Sequence, residues 1–112
     1  MDNDIKIWLY DISVAIDEIE SFFSDRPKIF AEFINDLRTK RAVERNIEII
    51  GEAMNRILKE RPETPITNAR KIVDTRNVVI HNYEKISDET IWTIVINHLP
   101  LLKSEVEELL KK

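Results

Sequence analysis

At 112 residues the chain is sized for one domain, 1–112, and its 43% hydrophobic and 34% charged side chains describe a globular protein rather than a disordered one. No apolar run approaches the roughly 18 residues that span a bilayer, and the absence of cysteine excludes disulfides and thiolate metal centres. A net charge of −4 argues against a surface coated with phosphate-binding cations.

The pattern along the chain is helical throughout. Ile5, Trp8, Leu9, Ile12, Ala15, Ile16, Ile19, Phe22 and Phe23 recur at three- and four-residue steps as one stripe of a first helix, which Pro27 breaks. Its opening residues are acidic, which predicts a chain without a signal peptide and, with the missing cysteines, a cytoplasmic one. A short second helix follows through Ile29, Phe30, Phe33, Ile34 and Leu37. Near Thr39 it bends or restarts as a longer helix carrying Val43, Ile47, Ile50, Met54, Ile57 and Leu58. Gly51, the only glycine, sits inside that helix at a cost of about 1 kcal/mol against alanine. It is either a tolerated residue or the place where another helix, of this chain or of a second copy, comes close.

Pro62 and Pro65 bracket the next turn, and the spacing predicts a third helix capped by Thr64 with Pro65 at its first position. Ile66, Ala69, Ile72, Val73, Val79 and Ile80 form its stripe. Ser87 is the expected cap of a fourth helix, with Asp88 and Glu89 at its positive end and Ile91, Ile94, Val95 and Leu99 facing inward. Pro100 should kink this helix rather than end it, since Leu102, Val106, Leu109 and Leu110 continue the spacing. The expected fold is all-α, an antiparallel bundle of four to five helices with a kinked C-terminal helix.

Charge is unevenly distributed. Residues 1–37 carry a balance of −6 and residues 77–112 one of −2, whereas residues 38–76 hold 10 basic and 6 acidic side chains, a balance of +4. That local field comes from Arg38, Lys40, Arg41, Arg45, Arg56, Lys59, Arg61, Arg70, Lys71 and Arg76. Each of them is equally well read as the i,i+4 partner of a neighbouring glutamate on a solvated face.

Residues 76–83 combine an arginine, a histidine and a tyrosine as R-x4-H-x-Y: Arg76, His81 and Tyr83. Arginine offers a rigid fork of donors to phosphate, and histidine exchanges a proton near neutral pH, a pairing suited to phosphodiester chemistry without metal. On a regular helix Asn77 and His81 share a face, while Arg76 and His81 stand about 140° apart around the axis. They converge if the helix loosens near His81, if the arginine wraps around, or if two copies of the motif face each other. RNA transesterification needs a base for the 2′-hydroxyl and an acid for the leaving 5′-oxygen, roles that two symmetry-related histidines can divide. A structural reading also stands: Asn82 as a left-handed helix terminator, His81 capping carbonyls, Tyr83 closing the core edge. A metal site would need His81 and His98 on different helices without an H-E-x-x-H pattern, so no metal and no cofactor is expected. His98 reads as a packed or capping residue, and Trp8 and Trp92 as core or interface.

Two blocks carry a family resemblance: residues 42–53 (A-V-E-R-N-I-E-I-I-G-E-A) and residues 76–83, supported by Ile91-Trp92 and Leu99-Pro100 in the last helix. With these, nearly the whole chain resembles a HepT-type member of the HEPN superfamily, the toxin half of HEPN–MNT toxin–antitoxin pairs. The resemblance implies an endoribonuclease with Arg76 and His81 as its catalytic residues and Asn77 in support, at a site formed across a homodimer. It also implies a partner nucleotidyltransferase of the MNT type that attaches AMP to Tyr83 and silences the toxin. A non-catalytic helical partner and substrate of that nucleotidyltransferase is the alternative, and a plain structural dimer a third reading. The chain departs from the family pattern in having Ile66 after Pro65, where a tryptophan is frequent, and in the polar pair Asp74-Thr75 before the arginine.

Overall fold

The first helix buries the stripe that its spacing requires. The computed structural model describes residues 3–81 and 88–112, with the backbone alone described over 76–81. Helix α1 (Asn3–Ser21) turns Ile5, Leu9, Ile12, Ala15, Ile16 and Ile19 fully inward. It unwinds through a turn in which Phe22 N–H bonds Ile19 O at 3.1 Å and Phe23 N–H bonds Glu20 O at 3.0 Å, so Phe22 and Phe23 reach the core from the turn rather than from the helix. Tyr10 lies with Ile7 and Val14 on the opposite, exposed face.

Helix α2 (Phe30–Ile34) is a single turn, and of its residues only Phe33 is buried. The restart into α3 (Leu37–Glu60) is made by Asp36, whose carboxylate accepts from Thr39 N–H at 3.1 Å and Thr39 Oγ1 at 2.7 Å. Arg26 Nη2 lies 3.2 Å from the same carboxylate and fastens the α1–α2 turn to this cap. The hydrogen bonds from Thr39, with Arg26 beside them, hold the Asp36 carboxyl below its ordinary value. Around the turn, Trp92 stands 5.9 Å from the Phe23 ring, 5.9 Å from Phe30 and 5.0 Å from Phe33, an aromatic cluster that binds the last helix to this end of the bundle.

The long helix α3 is the centre of the molecule, packed on one side by α1 and on the other by α4. Its buried face includes Val43, Ile47, Ile50, Met54, Ile57 and Leu58. Gly51 is buried in the same stripe between Ile47 and Leu58, both of which line cavities shared with α4. The close approach it permits is therefore made within this chain. Asn46, 4% exposed, is the buried polar residue of the core among the described residues: its amide donates to Ala42 O and to Glu18 Oε1 of α1, each at 3.0 Å.

The start of the third helix differs from expectation. Thr64 does not cap it. Its Oγ1 donates back to Arg61 O at 2.7 Å, and the chain stays in turns until α4 (Ala69–His81) begins after Asn68, which holds φ at 60° and accepts Ile72 N–H at 3.1 Å. Asparagine tolerates that left-handed conformation better than most residues. Thr67 explains the delay: its N–H and Oγ1 both donate to the Glu105 carboxylate, at 2.9 and 2.7 Å, and tie the connection to the last helix. The helix cannot begin until the chain has left that tether.

The C-terminal helix kinks as expected, in a specific way. Helix α5 (Asp88–Thr93) passes through a π-helical turn, Ile94–His98, into α6 (Leu99–Leu110), with Leu99 N–H bonded to Ile94 O. Pro100 has no N–H to offer Ile96 and its ring crowds that carbonyl, and the wider turn just before it accommodates both defects. Ser87, the expected cap, lies outside the described residues. Lys103 of α6 meets Asp17 of α1 at 3.0 Å, and that carboxylate raises the Lys103 ammonium above its ordinary value. The described residues form an all-α bundle of five rods, counting α5, the π turn and α6 as one, around one continuous apolar cluster.

Candidate active site

Arg76, Asn77 and His81 all lie on α4, in the turns that follow Thr75. Helix α4 runs antiparallel to α3: Leu58 adjoins the start of α4 near Ala69, whereas Ile47 and Ile50 lie beside Ile72 and Thr75. Continuing that register sets positions 76–81 against the N-terminal half of α3. The backbone remains α-helical through His81, so the loosening that would have let Arg76 and His81 converge is not present there. Positions 77 and 81 fall in one row with Arg70 and Asp74, and position 76 stands about 140° from position 81. Asn82 and Tyr83 lie outside the described residues.

On one flank of α4, Lys71, Ile72 and Thr75 line a cavity of about 570 Å³ between α4, α3 and the C-terminal rod. Its floor is apolar, from Ile47, Ile50, Ile72, Ile94, Leu99 and Leu102, and its lip is polar, with Lys71, Asp74, Thr75, Glu89, Thr90, Thr93 and His98. The row of positions 77 and 81 begins at exposed Arg70 and at Asp74 on the cavity lip, so it runs along the exposed arc of α4 beside the cavity.

The exposed side of α3 carries much of the basic field. Arg38, Arg41 and Arg45 are exposed at i, i+3 and i+7, at the same end of the bundle as residues 76–81. Arg56, Lys59, Arg61, Arg70 and Lys71 are exposed as well. Among the described residues two members form ion pairs: Lys40 Nζ with Asp88 Oδ1 at 2.9 Å, and Arg56 Nε with Glu52 Oε1 at 3.2 Å, the second being the i,i+4 kind. Lys40 thus joins α3 to α5 rather than facing solvent. Beside Arg45 and Arg56, a shallow groove between α1 and α3 holds Trp8, Glu48, Ile49 and Glu52, and Ile49 is 40% exposed.

His98 is half-buried where the π turn meets α6, where its side chain makes no capping hydrogen bond; it is packed, not capping. Among the described residues no three His, Asp or Glu side chains gather as metal ligands would, and no helix is long and apolar enough to cross a membrane. Sequence reasoning missed Asn46 and the cavity. Its lining comes from three separate elements, and a spacing rule sees one helix at a time; the polar pair Asp74-Thr75 was the visible trace.

Comparison with known proteins agrees with the two sequence blocks. The family described as Ribonuclease HepT-like matches residues 12–109. Two proteins of Methanocaldococcus jannaschii named "Putative RNase" are each 36% identical to this chain. One alignment runs over 112 residues, 96% of this chain and 88% of the relative, and the other over 109 residues, 96% and 92%. "Probable ribonuclease HepT" of Thermococcus cleftensis is 36% identical over 110 residues, 95% of this chain and 96% of its own length. No solved structure matches. The chain belongs to the HepT-like ribonuclease family.

Proposed function

We propose that this protein is a metal-independent endoribonuclease that cuts RNA as a homodimer in the cytoplasm. Arg76, Asn77 and His81 form its site, and it is the toxin of a toxin–antitoxin pair. The observation that carries the reading is the R-x4-H motif on an unbroken α-helical backbone, in a chain of the HepT-like ribonuclease family. On an unbroken helix positions 76 and 81 of one copy stand about 140° apart, and a second copy would supply what one lacks.

In the dimer, one His81 takes the proton of a 2′-hydroxyl as its oxygen attacks phosphorus. The partner's His81 gives a proton to the departing 5′-oxygen as the P–O5′ bond breaks, so the proton count balances. Arg76 stabilises the charge that builds on the non-bridging oxygens, and Asn77, in the row of His81, orients the phosphate. The outer face of α3 supports the dimer. The groove around Trp8 and Ile49 is rimmed by Arg45, Arg56, Glu48 and Glu52, a mixture of both signs that can complement itself across a two-fold axis.

Regulation follows from the same residues. An MNT-type nucleotidyltransferase partner transfers AMP to Tyr83, two residues from His81, and the added phosphate competes with RNA phosphate for Arg76. The deciding experiment is cleavage in EDTA with analysis of the ends. Products should carry a 2′,3′-cyclic phosphate and a 5′-hydroxyl, and folded Arg76→Ala and His81→Ala proteins should each lose about 100-fold or more. Cleavage abolished by EDTA, or a wild-type rate in either variant, overturns the mechanism. Uncut RNA with Tyr83 still modified would leave the chain as a non-catalytic substrate of its partner.

A further inference from the structure

We infer that the cavity between α4, α3 and the C-terminal rod is a nucleobase pocket, and that Asp74 at its lip selects guanine. This rests on the ribonuclease reading above and names the base that reading leaves open.

Three observations converge on it. The first is shape and lining. At about 570 Å³ the cavity has room for a base with part of its sugar, and its aliphatic floor suits the flat face of a heterocycle. The second is charge. Among the described residues of the lip, Asp74 and Glu89 outnumber Lys71, which disfavours a phosphate beside them and favours a group that presents N–H donors. The third is position. Asp74 belongs both to the lip and to the row of Arg70 and positions 77 and 81, so it joins the cavity to the motif across the exposed arc of α4. Around and along the helix the path from position 81 to the cavity is roughly 15 Å, about two or three nucleotides of an extended strand.

Guanine follows from the carboxylate. Its N1–H and N2–H2 are adjacent donors that both oxygens of Asp74 can accept at once. Adenine, cytosine and uracil each set a lone pair beside their donor, which would face the second oxygen. Among the described residues no ion pair or hydrogen bond occupies Asp74, which is exposed.

The test uses the full-length protein and 2′-O-methyl heptamers, which cannot be cleaved: uridine throughout, with G, A, C or U at the centre, and fluorescence anisotropy as the readout. The G-centred strand should bind about tenfold or more tightly than the other three. Asp74→Asn should remove most of that preference. Thr93→Trp, a change at an exposed lip residue of α5 that fills the cavity, should weaken the G-centred strand to the level of the all-uridine one. Circular dichroism must show both variants folded. Equal binding of all four strands, or full guanine preference in Asp74→Asn or in Thr93→Trp, overturns the pocket. If the wild type cuts RNA yet shows no base preference, the pocket fails and the nuclease reading stands. If it prefers guanine through Asp74 but cuts nothing, the pocket stands and the nuclease reading fails.

Discussion

Asp36 shows how one residue can hold a junction. Its carboxylate caps α3 and accepts from Thr39 while Arg26 approaches from the preceding turn, so its folded pKa lies below the ordinary 3.8. A carboxyl depressed in the folded state adds stability that is present above the ordinary value and lost as pH falls through the folded one. Asp36→Ala should therefore lower the melting temperature by a few degrees at neutral pH, and the gap from wild type should narrow as the pH is taken below 3.8. A gap that stays constant in acid would assign the loss to something other than the charge. The tyrosines pose a different question at this scale. Tyr10 is 61% exposed, so accessibility alone does not direct a nucleotidyltransferase away from it. With ATP, magnesium and the cognate enzyme, AMP should appear on Tyr83 in multiples of one nucleotide mass, and nuclease activity should fall as it does. Tyr83→Phe should cut RNA and escape this control. Peptide mapping that finds AMP on Tyr10, or a fully modified protein that cuts normally, removes the regulatory claim.

At the scale of elements, Gly51 sets two effects of opposite sign against each other. Alanine in a helix interior is favoured over glycine by about 1 kcal/mol. Gly51 is buried between Ile47 and Leu58, and a methyl group forced into a packed interface costs about 1–3 kcal/mol. The steric cost wins, so Gly51→Ala should destabilise the protein in urea unfolding; a rise in the midpoint would show that the neighbouring helix has room to spare. Much at this scale was legible in the sequence. The stripes of α1 and α3 are where the three- and four-residue spacing places them, because that spacing reports the face a helix must bury. The start of α4 was not legible. Thr64-Pro65 is a sound local cap signal, but the Thr67 tether to Glu105, 38 residues away, holds the chain out of the helix until Ala69. The form of the kink at Pro100 was likewise open until the π turn appeared, since proline removes a donor without dictating which neighbouring turn widens.

For the whole molecule the decisive question is assembly. The exposed Ile49 lines the mixed-charge groove between α1 and α3, and desolvating it is the simplest driving force for a two-fold contact. The wild type should be a dimer at micromolar concentration by sedimentation. Ile49→Glu should be a folded monomer that has lost cleavage, because each site would then lack its second histidine. A monomeric wild type, or an active monomeric variant, would remove the shared site.

The sequence by itself determined the helical class, the stripes that form the core, the family, and the placement of Arg76, Asn77 and His81 on one helix. These follow from periodicity and motif, which are local properties of a chain. Tertiary structure alone decided where α4 begins, that Gly51 is buried within this chain, that Asn46 bridges two helices, and that a cavity opens between α4, α3 and the C-terminal rod. Each depends on residues tens of positions apart meeting in space, and an antiparallel register between helices is set by packing, which no single helix encodes.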